Sequence, residues 1–278
     1  MKKLKNISFK YKILSLALII IITLTLSIVF SITNTFTSIL HNIIFENEKN
    51  NISKNSEIIS NWFQERRDDL EIYANTTIMK EGNWDEKKNY LQSELAKRTK
   101  DYYFFFIADK NGNYSTTMKD NAGNISDRKY FPEIMKGNTV ISNAVISKST
   151  SKPIIVIGTP IKKNNKTNAV LAAVMRIDKL SSKINKYKAN EKGIYSFLIN
   201  NKGNIIAHPD QNKLYDYLAN NNYNFNFSNK FINKILEKDK GNFKWKINNN
   251  TNYTFYHNIP DTDNWKIVTV LPNNYLKN

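Results

Sequence analysis

The sequence predicts an α+β fold with an N-terminal transmembrane helix, a long helix after it, and two tandem modules built on antiparallel sheets. Three observations lead to this expectation. An uncharged apolar run lies near the N-terminus, and a stretch with helical spacing of apolar residues follows it. Short β-type runs separated by turn residues fill the rest of the chain. Helices that flank successive short strands are typical of the α+β class.

The membrane segment is predicted at residues 13–32, which read ILSLALIIIITLTLSIVFSI without one charged residue. At about 1.5 Å per residue this run matches the roughly 30 Å apolar core of a bilayer. Five Lys residues precede the run within residues 1–12, and no acidic residue does. The positive-inside rule therefore puts residues 1–12 in the cytoplasm as a short tail and everything after residue 32 outside. A cleaved signal peptide is the alternative, although the apolar run is longer than usual for one.

Residues 33–98 are predicted to form a long helical stalk and scaffold. The stretch SEIISNWFQERRDDLEIYANTTI places apolar residues at mixed spacings of three and four. Residues 65–69, ERRDD, interrupt them as an expected polar face, and residues 86–100 indicate a second helix. Such a helix could leave the bilayer and brace a sensor, or cover a core, and the two roles are compatible.

The rest of the chain is predicted to form two modules, residues 99–190 and 191–275. The first contains four β-type runs, YYFFFIAD, NTVISNAVIS, KPIIVIGTPI and NAVLAAVMRI, and closes with a short helix at KLSSKINKY. The second repeats this order in smaller form, with a hairpin around NNKG, a helix at FINKILEK and three further strands. Because tight turns join successive strands, each module is expected to hold an antiparallel sheet.

The composition excludes several kinds of covalent, catalytic and metal-binding site. There is no Cys, which excludes disulfides, thiolate nucleophiles and Cys-ligated metals. His41, His208 and His257 are far apart, form no HExxH pattern, and lie near no GxSxG elbow. We therefore expect no catalytic residues, no metal and no cofactor, and hence no enzyme. His208 is expected to be a structural residue at a strand end, and Asp109 to stabilise its own turn.

The net charge of +17 is spread among acidic residues instead of forming one basic stripe. This pattern favours a solvated surface near anionic lipids or wall polymers, and nucleic acid is not an expected partner.

Three features of the chain occur in a recognisable order: the membrane helix that leads into a long helix, FFFIADKNGN followed by DRKYFPEIMKG, and FLINNKGNIIAHPD. Together they resemble the double Cache (dCache) extracellular sensor domain of bacterial methyl-accepting chemotaxis receptors and sensor kinases. The resemblance covers roughly residues 35–275. It implies two PAS-like modules, membrane-distal then membrane-proximal, in the ligand-sensing region of a transmembrane receptor, foremost a chemoreceptor. It also implies a homodimer, and normally a second membrane helix with a cytoplasmic signalling part.

The resemblance further implies a ligand site in the distal module. Family members anchor a carboxylate with an Arg followed by aromatic residues, a pattern that maps to Arg128 with Tyr130 and Phe131. An Arg fork matches a carboxylate through paired charge-assisted hydrogen bonds. The other residues expected around the ligand are Tyr103, Tyr114, Ser142, Ala144, Ile146 and Val174. The alternative for DRKYF is a helix start, with Asp127 as N-cap and the two aromatic residues buried.

Departures from the family pattern narrow the ligand class. Amino-acid-binding members also carry a Tyr and two Asp residues that hold the ligand's ammonium group, where this chain has Ala144, Ile146 and Val174. Asp178 lies nearby in sequence and is expected to cap a helix. Because an ammonium group buried without a counter-charge is costly, we expect a small carboxylate or other anion that lacks one.

Two other functions stay open. A membrane-anchored cell-wall-binding or structural protein would show a flat basic face and no enclosed pocket. The chain could also be the sensor region of a histidine kinase or a diguanylate cyclase.

Overall fold

The computed structural model of the chain describes residues 9–98, 102–118, 121–185, 193–220, 227–247 and 250–273. The chain divides into two compact units, Met1–Asn50 and Asn51–Asn278. Helix α1 runs over Phe9–Ala74 and contains an 18-residue window of mean hydropathy 2.9. By length and composition it can cross a membrane, and it is the one helix of the described residues that can. Most of the predicted cytoplasmic tail lies outside the described residues.

The part of α1 that belongs to the second unit is amphipathic. Ile59, Phe63 and Leu70 are buried on one side, while Ile58 and Ile72 are 38% and 64% exposed on the other. The spacing of the buried residues, four and then seven, follows one helical stripe. After α1 come α2 (Thr77–Glu81) and α3 (Trp84–Lys97).

The prediction that residues 65–69 form a polar, exposed face is wrong for Arg66 and Asp69. Arg66 and Asp69 are only 4% and 9% exposed. The carboxylate of Asp69 accepts a hydrogen bond of 2.7 Å from the hydroxyl of Tyr102 and pairs with Arg98 at 2.9 Å. The Arg66 guanidinium donates to the carbonyl of Trp62 at 3.0 Å. These partners allow burial, because a buried charge is tolerated when it is paired and hydrogen-bonded.

The first module is a seven-stranded antiparallel sheet in the order β3-β2-β1-β7-β6-β4, with β5 also paired to β6. Its strands are β1 (Phe104–Ala108), β2 (Asn113–Thr116), β3 (Ala122–Asn124), β4 (Val140–Ile141), β5 (Val145–Ile146), β6 (Pro153–Lys163) and β7 (Lys166–Arg176). Helix α4 (Tyr130–Met135) lies between β3 and β4 and packs on the sheet. The structure thus confirms an antiparallel sheet here.

The run NTVISNAVIS, predicted as one strand, forms the two short strands β4 and β5. The break follows from Ser142. Its backbone N–H donates to the carbonyl of Val156, but its hydroxyl accepts the N–H of Val156 at 2.9 Å. A side-chain oxygen therefore takes the place of the backbone carbonyl, and regular pairing stops for residues 142–144.

Gly158 allows α4 to lie close to β6. A Cβ atom at this position would be 2.3 Å from Cδ1 of Ile134, which is fully buried. This contact sets how closely the helix approaches the sheet, and with it the segment that precedes the helix.

The second module is a five-stranded antiparallel sheet in the order β10-β11-β12-β8-β9. Helix α5 (Ile177–Asn185) precedes it. Its further elements are β8 (Tyr195–Ile199), β9 (Ile205–Ala207), α6 (Gln211–Asn220), α7 (Asn229–Leu236), β10 (Lys240–Ile247), β11 (Asn250–Asn258) and β12 (Lys266–Pro272). The predicted order of hairpin, helix and three strands is present, with α6 as an added helix.

The α+β class predicted from sequence is therefore confirmed. The predicted module limits 99–190 and 191–275 stay a prediction, since residues 99–101, 186–192 and 274–278 lie outside the described residues.

Candidate functional site

The first module contains a small pocket on one face of its sheet. It is bounded by β1, β2, β5, β6 and β7 and by the segment that leads into α4. The lining side chains are those of Phe104, Phe106, Tyr114, Ile125, Arg128, Tyr130, Val145, Ile146, Ser147, Lys148, Ser149, Ile154, Val156 and Val174. Most of them are apolar, and none of these described residues is acidic.

Arg128 brings a cation to this apolar pocket. Its guanidinium Nη2 donates a hydrogen bond of 2.8 Å to the backbone carbonyl of Ile146. Asp127, its neighbour, does not cap α4 as the alternative proposed, because the N-cap is Lys129 and makes no side-chain cap bond. Instead Asp127 pairs with Lys148 at 2.7 Å, and this hydrogen bond lowers the pKa of its carboxyl group.

Segment 145–149 closes over the pocket and is fastened at several points. The hydroxyls of Tyr114 and Ser149 are 3.0 Å apart. The Asn121 amide donates to the carbonyl of Ser149 at 3.1 Å, and Lys148 donates to the carbonyl of Asn124 at 2.9 Å. The free volume beneath the segment is about 20 Å³, which is roughly the room of one water molecule. A larger ligand therefore requires part of the lining to move.

Tyr130 forms a wall of the pocket and is 8% exposed. Burial raises the pKa of its hydroxyl to about 12, so the group stays neutral at physiological pH. On the opposite wall the rings of Phe106 and Tyr114 contact each other at 5.4 Å. Apolar and neutral aromatic side chains thus form most of the pocket wall beside Arg128, which is half-buried.

The structure brings together five of the nine residues predicted for the ligand site. Arg128, Tyr130, Tyr114, Ile146 and Val174 line the pocket.

The other four predicted residues lie elsewhere. Ser142 and Ala144 line a separate groove, and Phe131 is buried in the core of the module. The ring of Tyr103 packs against Phe104 at 5.3 Å and lies under the Arg176 guanidinium. Whether any of the nine residues contacts a ligand stays a prediction.

Sequence reasoning missed most of the apolar lining. Phe104 and Phe106 of β1, and Ile154 and Val156 of β6, alternate along their strands and share one face of the sheet. The alternation of apolar residues along β1 and β6 was the sequence signal that could have found them.

Three other side chains considered from the sequence, those of Asp109, His208 and Asp178, make local contacts. The Asp109 carboxylate accepts the N–H groups of Asn111 and Asn113, both at 2.9 Å, and so stabilises its own turn as expected. His208 follows β9, and its Nδ1 accepts the N–H of Asp210. Asp178 does not cap α5, because it lies in the first turn and pairs with Arg176 through two hydrogen bonds.

A groove lies between the two modules and has a volume of about 600 Å³. Residues 140–145 of the first module form one side, and residues 204–206 with part of α6 form the other. Arg128, Tyr130 and Val145 line both this groove and the small pocket, so they separate the two spaces.

A family sequence profile described as a Cache domain matches residues 36–278, most of the chain. The chain belongs to the Cache domain family. This confirms the resemblance inferred from sequence.

Solved structures share this Cache fold. The ligand-binding domain of the Pseudomonas fluorescens chemoreceptor CtaA, in complex with L-leucine, has a TM-score of 0.65 and 18% identity, covering 88% of this chain and 100% of that one. The ligand-binding domain of the Pseudomonas aeruginosa PAO1 amino acid chemoreceptor PctB, in complex with L-Arg, has a TM-score of 0.65 and 15% identity, covering 82% and 95%. The sensory domain of the Campylobacter jejuni chemoreceptor Tlp3 (CcmL), with isoleucine bound, has a TM-score of 0.64 and 14% identity, covering 87% and 98%. At such identities the likeness shows the fold alone.

A sequence relative of this Cache protein is the methyl-accepting chemotaxis protein PscA of Pseudomonas syringae pv. tomato. It is 33% identical over 72 residues, which are 26% of this chain. The chain matches only 11% of the length of that relative. These neighbours are sensory proteins, in agreement with the expectation of a ligand-sensing region.

Proposed function

We propose that this chain is the ligand-sensing region of a bacterial transmembrane receptor, foremost a chemoreceptor, and that its first, distal module binds a small carboxylate or other anion. The observation that carries the proposal is the position of Arg128. Its guanidinium lies at a small, mostly apolar pocket of a Cache fold and donates a hydrogen bond there to the backbone carbonyl of Ile146. A wall-binding or structural protein would have no need of such a pocket.

The charges around the pocket support an anion. Arg128 and Lys148 are the charged side chains among the described lining residues. A ligand ammonium group would meet two cations and no carboxylate, whereas a ligand carboxylate would meet the Arg fork. The same reasoning disfavours α-amino acids, which CtaA and PctB are described as binding. In the neighbour PctC, the bound ligand is GABA, whose amino group is remote from its carboxylate.

Binding requires an exchange of partners at Arg128. A ligand carboxylate would replace the carbonyl of Ile146, which now holds the guanidinium. Charge-assisted hydrogen bonds to a carboxylate are stronger than those to a neutral carbonyl, so the exchange is favourable. Once this bond is lost, segment 145–149 keeps fewer of the contacts that fasten it over the pocket. Release of this segment therefore makes room for the ligand.

The ligand class is tested with matched pairs that differ only in the α-amino group. We expect 4-methylpentanoate to bind the full chain in lipid nanodiscs and L-leucine, the same skeleton with an ammonium group, to bind at least about tenfold more weakly. Isothermal titration calorimetry measures both, and a broader set of organic acids and their α-amino counterparts extends the comparison. Tight binding of the free amino acids together with no binding of their deaminated analogues would show that the anion assignment is wrong.

The same proposal includes a topology and an oligomeric state. Residues 13–32 would span the membrane once, with the five preceding Lys residues in the cytoplasm. The chain would form a homodimer through the helix spanning about Phe36–Tyr73, where Ile58 and Ile72 offer exposed apolar surface.

The orientation has a direct test. Protease added to intact cells should remove the region after residue 33 and leave a short membrane-bound remnant. A cytoplasmic marker protein must stay intact in the same sample as a control. Protection of the large domain until the cells are permeabilised would contradict the orientation.

A further inference from the structure

Two sheet edges meet at the groove between the modules. On one side the lining residues run consecutively from Val140 to Val145, and on the other from Asn204 to Ile206. Val140 and Ile141 of β4, and Ile205 and Ile206 of β9, are successive strand residues whose side chains point to opposite faces, so the strand edges border the groove. In the described part of the chain, β4 and β9 each end the strand order of their sheet.

Backbone groups of β4 point into this groove. Ile141 pairs with Ile157 of β6, and its neighbour Ser142 donates its N–H to β6 at 2.7 Å. Alternate residues of an antiparallel strand direct their N–H and C=O groups to opposite sides. The N–H and C=O of Ile141 are therefore directed away from β6, where a further strand would pair with them.

Amide side chains line the groove between the two strand edges. Asn200, which is 1% exposed, donates from Nδ2 to the Oδ1 of Asn143 at 3.1 Å across the modules. The hydroxyl of Tyr217 donates to Asn204 at 3.0 Å. Apolar side chains of Ile205 and Leu218 lie beside them. The groove thus offers both polar and apolar contacts, and an extended peptide uses both through its backbone and its side chains.

The charges that line the groove do not select a charged peptide. Asp127 and Glu133 pair with Lys148 and Lys136, at 2.7 and 2.6 Å. The other ionisable lining residues are Asp263, Arg128 and Lys129, so the groove is close to neutral. A peptide without charged side chains is complementary to it.

We propose that this groove binds a short extended peptide by strand addition, as a site separate from the anion pocket. Its volume of about 600 Å³ lies within the usual range of ligand sites, roughly 300–1,000 Å³. The peptide would pair with the free edge of β4 on one side and face β9 on the other.

The probe for this site is the blocked peptide acetyl-Ala-Val-Ala-Gln-amide. It has no carboxylate, so it offers no anion to Arg128 in the anion pocket. We expect calorimetry on the full chain in nanodiscs to detect its binding. Methylation of alternate backbone nitrogens should weaken it by about tenfold or more, because each lost N–H removes a pairing bond. No binding of the blocked peptide, or equal binding of the N-methylated form, would overturn the proposal.

A variant pair locates the binding site. Ile141→Pro removes the outward N–H without removing a bond to β6, and Pro is tolerated on edge strands. It should lower peptide affinity by about fivefold or more, while Ile141→Val, which keeps the N–H, should not. Binding of 4-methylpentanoate should stay unchanged in both variants, which shows that the fold is intact and separates failure of this site from failure of the anion pocket. Unchanged peptide binding in Ile141→Pro would refute the location.

Discussion

Replacement of Arg128 by Ala is expected to weaken binding of the anionic ligand by about tenfold or more. A charge-assisted hydrogen bond contributes roughly 1.5–3 kcal/mol, and removal of the cation also leaves the ligand anion in an apolar pocket without a partner. Arg128→Lys should restore only part of the affinity, because a point charge cannot reproduce the two-pronged geometry of the guanidinium. Titration calorimetry of the wild-type chain and the variants, with the same organic acid, measures the effect.

The neighbouring residue provides the matched control. Lys129→Ala removes the same formal charge, but Lys129 lines the groove and is absent from the lining of the pocket. We expect less than about a twofold change, since an exposed charge acts on the ligand only through screened attraction. An equal loss in both variants would mean that general electrostatic attraction, and no specific contact with Arg128, holds the anion.

The largest stability effect is expected for Trp265→Ala, at about 3–5 kcal/mol. Trp265 is 2% exposed and meets the ring of Phe63 edge-on, with 5.5 Å between centroids. This contact joins the end of α1 to the second sheet, so its removal leaves a large cavity between two elements that cannot collapse into it easily. Denaturant unfolding of the full chain in detergent, followed by Trp fluorescence and circular dichroism, gives the change in free energy.

Trp84→Ala is the control for this substitution. Trp84 is the first residue of α3 and is only partly buried. The same truncation there should cost at least about 1 kcal/mol less than at Trp265, because part of the Trp84 ring is already exposed in the folded state. Similar losses in the two variants would show that Trp265 is not a central contact between α1 and the second sheet.

Elements with a strong local signal could be predicted from the sequence. The strands β6 and β7 carry apolar β-branched residues, and the turn between them has Asn164 and Asn165 at φ values of 50° and 60°. Asn tolerates this left-handed conformation, so the turn residues already specified the hairpin. The apolar run in α1 was equally plain, because its length and lack of charge match a bilayer.

Features that depend on distant partners could not be predicted. Arg66 and Asp69 belong to a charged run, which is typical of a solvated face. The partners of Asp69 are Tyr102 and Arg98, which lie about 30 residues further along the chain. In the same way, the break between β4 and β5 depends on one hydroxyl group, that of Ser142, which binds a strand that follows later.

The candidate site, too, could be predicted only in part. The position of Arg128 at a pocket followed from a family pattern, but Tyr103 is absent from the lining because it precedes β1 and its ring lies against Phe104 and Arg176. Phe104 and Phe106 lie on the pocket face of β1, so Phe105 between them belongs to the other face. Phe105 accordingly packs against Tyr73 of α1, with 6.1 Å between ring centroids.

The close approach of Ile134 to Gly158 has a consequence for how this sensor can diverge. A methyl group gained at position 158 requires the Cδ1 atom of Ile134, the far end of that side chain, to turn away or to be lost. A shorter side chain at position 134 makes room for the methyl group but leaves a void as long as position 158 is Gly. Changes at the two positions are therefore expected to be linked in the evolution of this sensor.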